Sequence, residues 1–527
     1  MSSQNISLLP LMRCAGVLAG LLCGCSVRAD VQLPALFGDH MVLQQKQTIP
    51  VWGKADPGES VTVTLGKRHA TTVAGVDGTW RVRLAALSVA KPLTLTIMGK
   101  NTVTVNDVLL GEVWLCSGQS NMQFGLKGAN NAETEIAAAN YPTMRMFAVN
   151  APVAQTPQAE VKGHWIVCSP QTAGDFTAVG YLFGREILQT RHIPVGLLHV
   201  SQGWTPAESW MSAEMIRANP DTAYIADRWE KIAKDYPAAK QKYDRLMGEW
   251  TTASATAKAA GHPEPPQPVP PPDPNFLHRS SGFWNGGVAP LIPYAIRGVV
   301  WYQGETNDSR AFQYRKLFPN LIRGWRKAWG QGDFPFLFVQ LANVLPPDPT
   351  PVNSEWAELR ESQAVGLAEP NTGMAVTIDI GEEKNVHPKN KQDVGHRLAL
   401  LARVKVYGEK IPAYSPQYDH MAVLGRTMRV TFTHAYKGLQ TKDNQPLSGF
   451  AIAGADHKFV SAQAKTEGNA VVVWADAVPN PVAVRYAWAN NPAGCNLYNS
   501  ANLPAVPFRT DDWLAKTADA TRLYYDN

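Results

Sequence analysis

Along the first hundred residues, apolar and β-branched positions alternate with polar ones in short runs. Val61-Thr62-Val63-Thr64-Leu65 and Leu93-Thr94-Leu95-Thr96-Ile97 are examples, and polar turns such as Asp77-Gly78 separate them. Runs of this kind predict strands joined by tight turns, and their one-sided faces are buried by stacking two layers. Residues 30–107 are therefore expected to form a β-sandwich. From 108 the period changes. Strand-like runs at 108–116, 144–149, 193–200, 298–302, 334–341 and 374–380 alternate with helix-period stretches at 132–140, 176–189, 309–329, 355–368 and 390–407. In the last of these, Val394, Leu398 and Leu401 share one face. Pro319 is expected to kink the helix over 309–329. Apolar strands alternating with helices predict a mostly parallel sheet covered on both faces, an α/β unit over 108–409. From 410 to 527 the pattern is β again, with strands at 428–432, 470–474 and 483–488, and a second β-rich unit is expected.

The segment 212–280 interrupts the α/β rhythm. It is helical and rich in Ala and Lys to about 260, then crowded with proline over 261–274. The proline stretch predicts extended polyproline II backbone. The segment reads as an insertion that packs as an arm, in preference to a lid or linker.

The N-terminus reads as an export signal. Arg13 is followed by the apolar run 15–24 and by Ser26-Val27-Arg28-Ala29, a charged, greasy and small-residue succession typical of a signal peptide over 1–29. Export to the periplasm or the medium is expected. Leu22-Cys23-Gly24-Cys25 is an imperfect lipoprotein box, so a lipid anchor at Cys25 is the alternative. The apolar run is too short to span a bilayer, and no transmembrane span is expected.

Composition narrows the function classes. The 527 residues carry a net charge of only +5, with no dense basic patch, which excludes a dedicated nucleic-acid binder. Beyond the leader, Cys116, Cys168 and Cys495 remain, which make no disulfide framework and show no zinc-ligand spacing. Neither a phosphate-cradling loop nor a dinucleotide fingerprint occurs, so no metal and no cofactor is expected. Sixteen tryptophans are enough for a core and for sugar-stacking platforms.

Candidate chemistry lies in three strings that follow strand-like runs: Gly118-Gln119-Ser120-Asn121, Trp301-Tyr302-Gln303-Gly304-Glu305-Thr306-Asn307 and Asn385-Val386-His387-Pro388. Loops at the carboxyl ends of strands are where an open α/β sheet carries its reactive groups. Ser120 is the candidate nucleophile and needs a base within hydrogen-bond reach. His387 is the candidate base, since an imidazole can take the serine proton and return it to a leaving alcohol. The candidate oxyanion donors are the N–H of Ser120, the N–H of Gly203 in Ser201-Gln202-Gly203-Trp204, and the side-chain amide of Gln303. Gln119, Asn121, Glu305 and Asn307 are candidate supports. Together these residues suit acyl transfer from an ester.

The strings resemble those of sialate O-acetylesterases and related carbohydrate acetylesterases of the SGNH (GDSL-like) hydrolase superfamily. Residues 111–122 resemble the nucleophile segment, 301–307 the central motif, and His387-Pro388 with Lys391 and Val394-Gly395 the histidine segment. Tyr486-Ala487-Trp488, Asn496-Leu497-Tyr498-Asn499 and Pro507-Phe508-Arg509 resemble the C-terminal tail. The resemblance spans most of the chain past the leader. It implies a flavodoxin-like three-layer α/β/α hydrolase domain with flanking β-sandwich domains. It also implies cofactor-free removal of acetyl groups from an acetylated oligosaccharide or glycan, either sialic acid esters or plant fragments such as xylan or xyloglucan. By position, Ser120 is its nucleophile, His387 its base, and Gly203 and Gln303 its oxyanion positions. One position departs: many such enzymes carry Asp three residues before the histidine, and here that residue is Lys384. Glu383, Glu382 and Asp379 are the nearby candidates for an orienting acid, and a serine–histidine dyad is the alternative. The competing reading of the whole chain is a non-catalytic carbohydrate-binding protein on an esterase-like fold.

Overall fold

A computed structural model describes residues 30–88, 91–442 and 445–521. The leader segment, with Cys25, lies outside the described residues. Six strands come first: β1 (Val42–Gln44), β2 (Ile49–Lys54), β3 (Ser60–Leu65), β4 (Arg68–Val73), β5 (Thr79–Leu84) and β6 (Leu93–Met98). In β5 buried and exposed residues alternate strictly, the signature of a sheet wet on one face. β2 pairs with β5, and β4, β3 and β6 form a second antiparallel ladder.

β7 (Thr102–Gly118) then runs through two environments. Its first residues pair with β6 and are largely exposed; from Val108 onward every residue is buried. The change of hydrophobic period at 108 thus falls inside one continuous strand. Its buried half is the middle of a large sheet. β10 (Val195–Ser201) lies parallel on one side and β11 (Gly298–Tyr302) parallel on the other. β8 (Tyr141–Ala148) extends the first side, with β9 (Trp165–Cys168) antiparallel at the edge. β12 (Phe336–Val339) and β13 (Thr372–Ala375) extend the second. The order is β13-β12-β11-β7-β10-β8-β9. β9 was not expected from the sequence, and the run at 374–380 forms a strand only to Ala375.

The helices are α1 (Ser120–Gln123), α2 (Ala132–Ala137), α3 (Ala178–Arg191), α4 (Ala213–Arg217), α5 (Pro220–Ala259), α6 (Ala311–Trp329), α7 (Glu355–Ala364) and α8 (Lys391–Lys405). Side chains on successive strand residues point to opposite faces. Phe336 and Phe338 meet Trp325 and Phe318 of α6, with ring centroids 6.0 and 4.9 Å apart. Leu337 faces the other way: a Cβ built on Gly373 would lie 3.2 Å from both Leu337 and Leu401 of α8. α3 sits beside α8 on that second face, its Gly180 close to Cys116. Pro319 is accommodated within an uninterrupted α6.

The insertion is a long arm. α5 is 40 residues long, and most of its buried positions lie in its first turns, at Thr222, Ile225, Ala226 and Trp229. The proline-rich segment has no helix or strand and runs back along α5: Trp250 Nε1 donates to the Pro265 carbonyl at 2.8 Å, and Ser254 Oγ to Glu264 at 2.5 Å. Past 410 there are two four-stranded antiparallel sheets. One contains Gln417–Leu424, Thr427–Thr433, Ala470–Trp474 and Gln463–Glu467; the other contains Phe459–Ser461, Phe450–Ala453, Ala483–Tyr486 and Phe508–Arg509. Arg360, on α7, joins this region to the central sheet. It is fully buried and donates to the carbonyls of Leu341, Ala342, Ala489 and Asn490. Cys116, Cys168 and Cys495 are free thiols, each pushed up to about 12 by burial, which leaves them unreactive. Among the described residues, no helix is long and apolar enough to cross a membrane.

Candidate active site

Three adjacent strands end together. In the ladder, Gly118 at the end of β7 stands opposite Ser201 of β10 and Tyr302 of β11. Ser120, Gly203 and Gln303 therefore leave the sheet side by side. Gly118 has φ +142°, and a Cβ there would run into the Tyr302 carbonyl, so no larger residue fits. The Gln119 N–H donates to that carbonyl at 2.9 Å, and its buried side chain accepts from the N–H groups of Gly304 and Thr306.

Ser120 is the first residue of α1, where a backbone N–H has no carbonyl partner within the helix. Gly203 lies against it: a Cβ built on Gly203 would sit 3.3 Å from Ser120 Cβ. The Gly203 N–H donates to Gln123 Oε1 at 2.8 Å, so a side-chain oxygen occupies this donor. Gln303 departs from the oxyanion expectation. Its Nε2 donates to the Thr205 carbonyl at 3.2 Å and to Asn307 Oδ1 at 2.7 Å, while its Oε1 accepts from Tyr314. Both amide hydrogens are committed inside the protein, and the residue braces the loop instead. Asn307 continues that brace, accepting from the Ala207 N–H and donating to Glu208, which is paired with Arg310.

His387 stands on a loop held by its own neighbours. Asn385 Oδ1 accepts the His387 N–H at 3.0 Å, and Asn385 Nδ2 donates to the His387 carbonyl at 2.8 Å. Such a side chain mimics a backbone turn. Glu382 accepts from Asn385 and from the Lys389 N–H. Asn121 joins that loop to the turn bearing Ser120: its Nδ2 donates to the Val386 carbonyl at 2.9 Å and to Glu305 at 2.6 Å, and its Oδ1 accepts from Lys391 at 2.6 Å. The residue after Ser120 is thus bonded to the residue before His387. Among the described residues no hydrogen bond joins Ser120 Oγ to the imidazole itself.

Among the described residues, none of the three candidate orienting acids is hydrogen-bonded to the imidazole. The Asp379 side chain is largely covered and holds Arg397 through both oxygens at 2.7 and 2.8 Å, with Tyr498 donating a third bond. It is an anchor for α8. The Glu383 side chain is exposed, and only its carbonyl is engaged, by the Leu345 N–H. Glu382 reaches His387 only through Asn385.

Burial shapes the electrostatics of the loop. Burial, then the charge of Lys391, lowers His387 below its ordinary value. Lys391 is fully buried beneath the site, and burial pulls it down to about 7 against the opposing pull of Glu305 and Glu382. Its ammonium also lies over the rings of Phe124 and Tyr302, at 4.9 and 5.5 Å. Burial raises Glu305 despite the hydrogen bond from Asn121. Sequence reasoning did not foresee the contacts of Lys391 or Gln123. The one available signal was a lysine four residues past the histidine, in the first turn of a helix. A second serine–histidine contact, His199 Nε2 to Ser201 Oγ at 2.6 Å, lies along a single strand; burial drives that imidazole down to about 4.

Residues 287–403 match the family model described as carbohydrate esterase, sialic acid-specific acetylesterase. Rattus norvegicus sialate O-acetylesterase is 31% identical over 520 residues, covering 89% of this chain and 92% of its own length. The Homo sapiens sialate O-acetylesterase is 29% identical, covering 89% and 90%. A crystal structure of a carbohydrate acetylesterase from Xanthomonas citri superposes with a TM-score of 0.78 at 37% identity, covering 92% of this chain and all of that one. At 31% identity across 89% of its length to a sialate O-acetylesterase, and with the fold of a carbohydrate acetylesterase over 92% of it, the chain belongs to the sialate O-acetylesterase family, a family of carbohydrate O-acetylesterases.

Proposed function

We propose that this protein is an exported serine esterase that removes O-acetyl groups from carbohydrates on a three-layer SGNH-type domain. The observation that carries the reading is the Asn121 bridge, which ties the turn bearing Ser120 to the loop bearing His387 across 265 residues of chain. Ser120 Oγ attacks the acetyl carbonyl carbon as His387 takes its proton. The carbonyl oxygen displaces Gln123 Oε1 and accepts from the N–H groups of Gly203 and Ser120 as it gains charge. The ester C–O bond breaks, and His387 passes its proton to the departing sugar oxygen. Water, activated by the same imidazole, then releases acetate from the acetyl-serine.

Among the described residues no carboxylate is hydrogen-bonded to the imidazole. The Asn385 turn supports a dyad in which the loop backbone, not an acid, sets the ring's direction. The substrate is an O-acetylated glycan, sialic acid ester or plant fragment such as xylan or xyloglucan. The leader-like segment supports export to the periplasm or medium, with a lipid anchor at Cys25 as the competing arrangement.

The test is turnover of an aryl acetate. Ser120→Ala should lose about a thousandfold or more with an unchanged melting temperature, and His387→Asn should do the same. A purely carbohydrate-binding protein on this fold would show no Ser120-dependent turnover at all. Near-full activity in folded Ser120→Ala would end the reading.

A further inference from the structure

Among the 16 tryptophans of the chain, Trp204 alone is exposed, at 47%. It follows Gly203, the residue packed against Ser120. Its backbone has φ +58°, a left-handed conformation that a bulky residue rarely adopts. The neighbours on both sides hold it there. Gly203 is bonded to Gln123, and fully buried Thr205 donates to the Gln202 carbonyl, accepts from Trp210 Nε1 and receives Gln303 Nε2 on its own carbonyl.

The far end of the insertion supplies the rest of the wall. Phe276 meets the Trp204 ring at 5.4 Å and 87°, and His278 meets it at 4.7 Å and 71°. The two are 4.9 Å from each other. Ser209 Oγ donates to the Leu277 carbonyl, and Arg279 Nη1 to the Pro274 carbonyl, so the segment that presents them is anchored. The arm thus leaves the α/β unit after Trp204 and returns to it at the same place. Burial keeps His278 far below its ordinary range, at about 4, so the wall is uncharged at neutral pH.

We propose that Trp204, buttressed by Phe276 and His278, is a sugar-binding subsite that stacks one pyranose ring of the glycan next to the acetylated unit. A pyranose presents a face of C–H groups rimmed by hydroxyls, which suits an aromatic platform whose edges are wet. The strained backbone, retained beside the nucleophile, is the mark of a side chain kept for use and not for packing. This subsite rests on the reading that the ester is cut at Ser120.

The test uses Trp204→Gly, because glycine accepts φ +58° without strain. That variant should melt at or above the parent temperature. The ratio of kcat/KM for acetylated xylotetraose to kcat/KM for p-nitrophenyl acetate should fall about tenfold, mainly through KM for the oligosaccharide. Trp204→Phe should restore part of the ratio. A fall of less than threefold in folded Trp204→Gly overturns the subsite. A second arm separates the two claims: Ser120→Ala protein is titrated with acetylated xylotetraose and read by tryptophan fluorescence, with and without Trp204→Gly. Binding that depends on Trp204 while Ser120→Ala still turns over would keep the platform and discard the nucleophile. Turnover lost in Ser120→Ala with binding indifferent to Trp204 would keep the nucleophile and discard the platform.

Discussion

At the scale of single residues, carboxylates near the histidine divide by what they touch. Asp379 lies close to His387 in sequence and follows a strand, which made it a natural choice for an orienting acid. Its oxygens are spent on Arg397, 18 residues on, in a buried pair. Removing one partner of such a pair leaves an uncompensated charge and costs about 3–5 kcal/mol. Asp379→Asn should therefore lower stability by that order in chemical denaturation, while the folded fraction keeps aryl-acetate turnover within a few-fold. An orienting acid would behave oppositely, with about a 10^4 loss of kcat at unchanged stability. The candidate nucleophile and base stood out in the sequence because Gly118 and Pro388 mark tight backbone beside them. The acid question was not, because which carboxylate faces an imidazole depends on α8 packing over the loop, and no spacing records that. Gln303 shows the same limit: an amide at a strand end reads as an oxyanion donor until Thr205 and Asn307 are found waiting for its hydrogens.

At the scale of elements, α8 acts on the site through its first turn. Lys391 is the first residue of α8 and points its ammonium under Asn121. Its charge is one of the two causes that lower His387. A lowered imidazole stays neutral, and so competent as a base, to more acidic pH. The acid limb of kcat/KM should accordingly have its midpoint below the ordinary histidine value of about 6.5. Lys391→Met removes the positive charge, so the midpoint should move upward, toward that value, in a pH profile on an aryl acetate. A midpoint that moves down or stays put would separate Lys391 from the base. The elements themselves were readable where burial is two-sided. Gly298–Tyr302 is buried at every residue and was bounded correctly from its apolar run alone. β9, at the sheet edge, is only partly buried and carries no such run. The Asn121–Lys391 contact spans 270 residues and no local pattern reveals it.

At the scale of the whole molecule, the N-terminal strands are knitted into the central sheet and cannot be an optional appendage. β1 pairs with Leu109, Leu110 and Gly111 of β7, inside its buried half. Gln44 accepts from the Val113 N–H, Tyr294 donates to the Val42 carbonyl, and Trp165 Nε1 donates to the Leu36 carbonyl. A chain lacking residues 30–101 would expose the β6 and β1 partners of β7, an unpaired edge prone to aggregation. Such a truncation should yield no soluble folded esterase, judged by circular dichroism and aryl-acetate turnover. A monomeric, active truncate would show that the α/β unit stands alone. The hydrophobic pattern pointed to several units but could not say that one strand serves two of them, because a strand crossing from one core to another changes its pattern without breaking.

The convergence of the Ser120 turn and the His387 loop is tested most directly by covalent labelling. The intact protein is treated with an organophosphate, weighed, digested and mapped by mass spectrometry, alone and as His387→Asn. One adduct per chain on Ser120, formed far more slowly in His387→Asn, is the expected result. An adduct on Ser201, or labelling of Ser120 at the same rate without the imidazole, would contradict it.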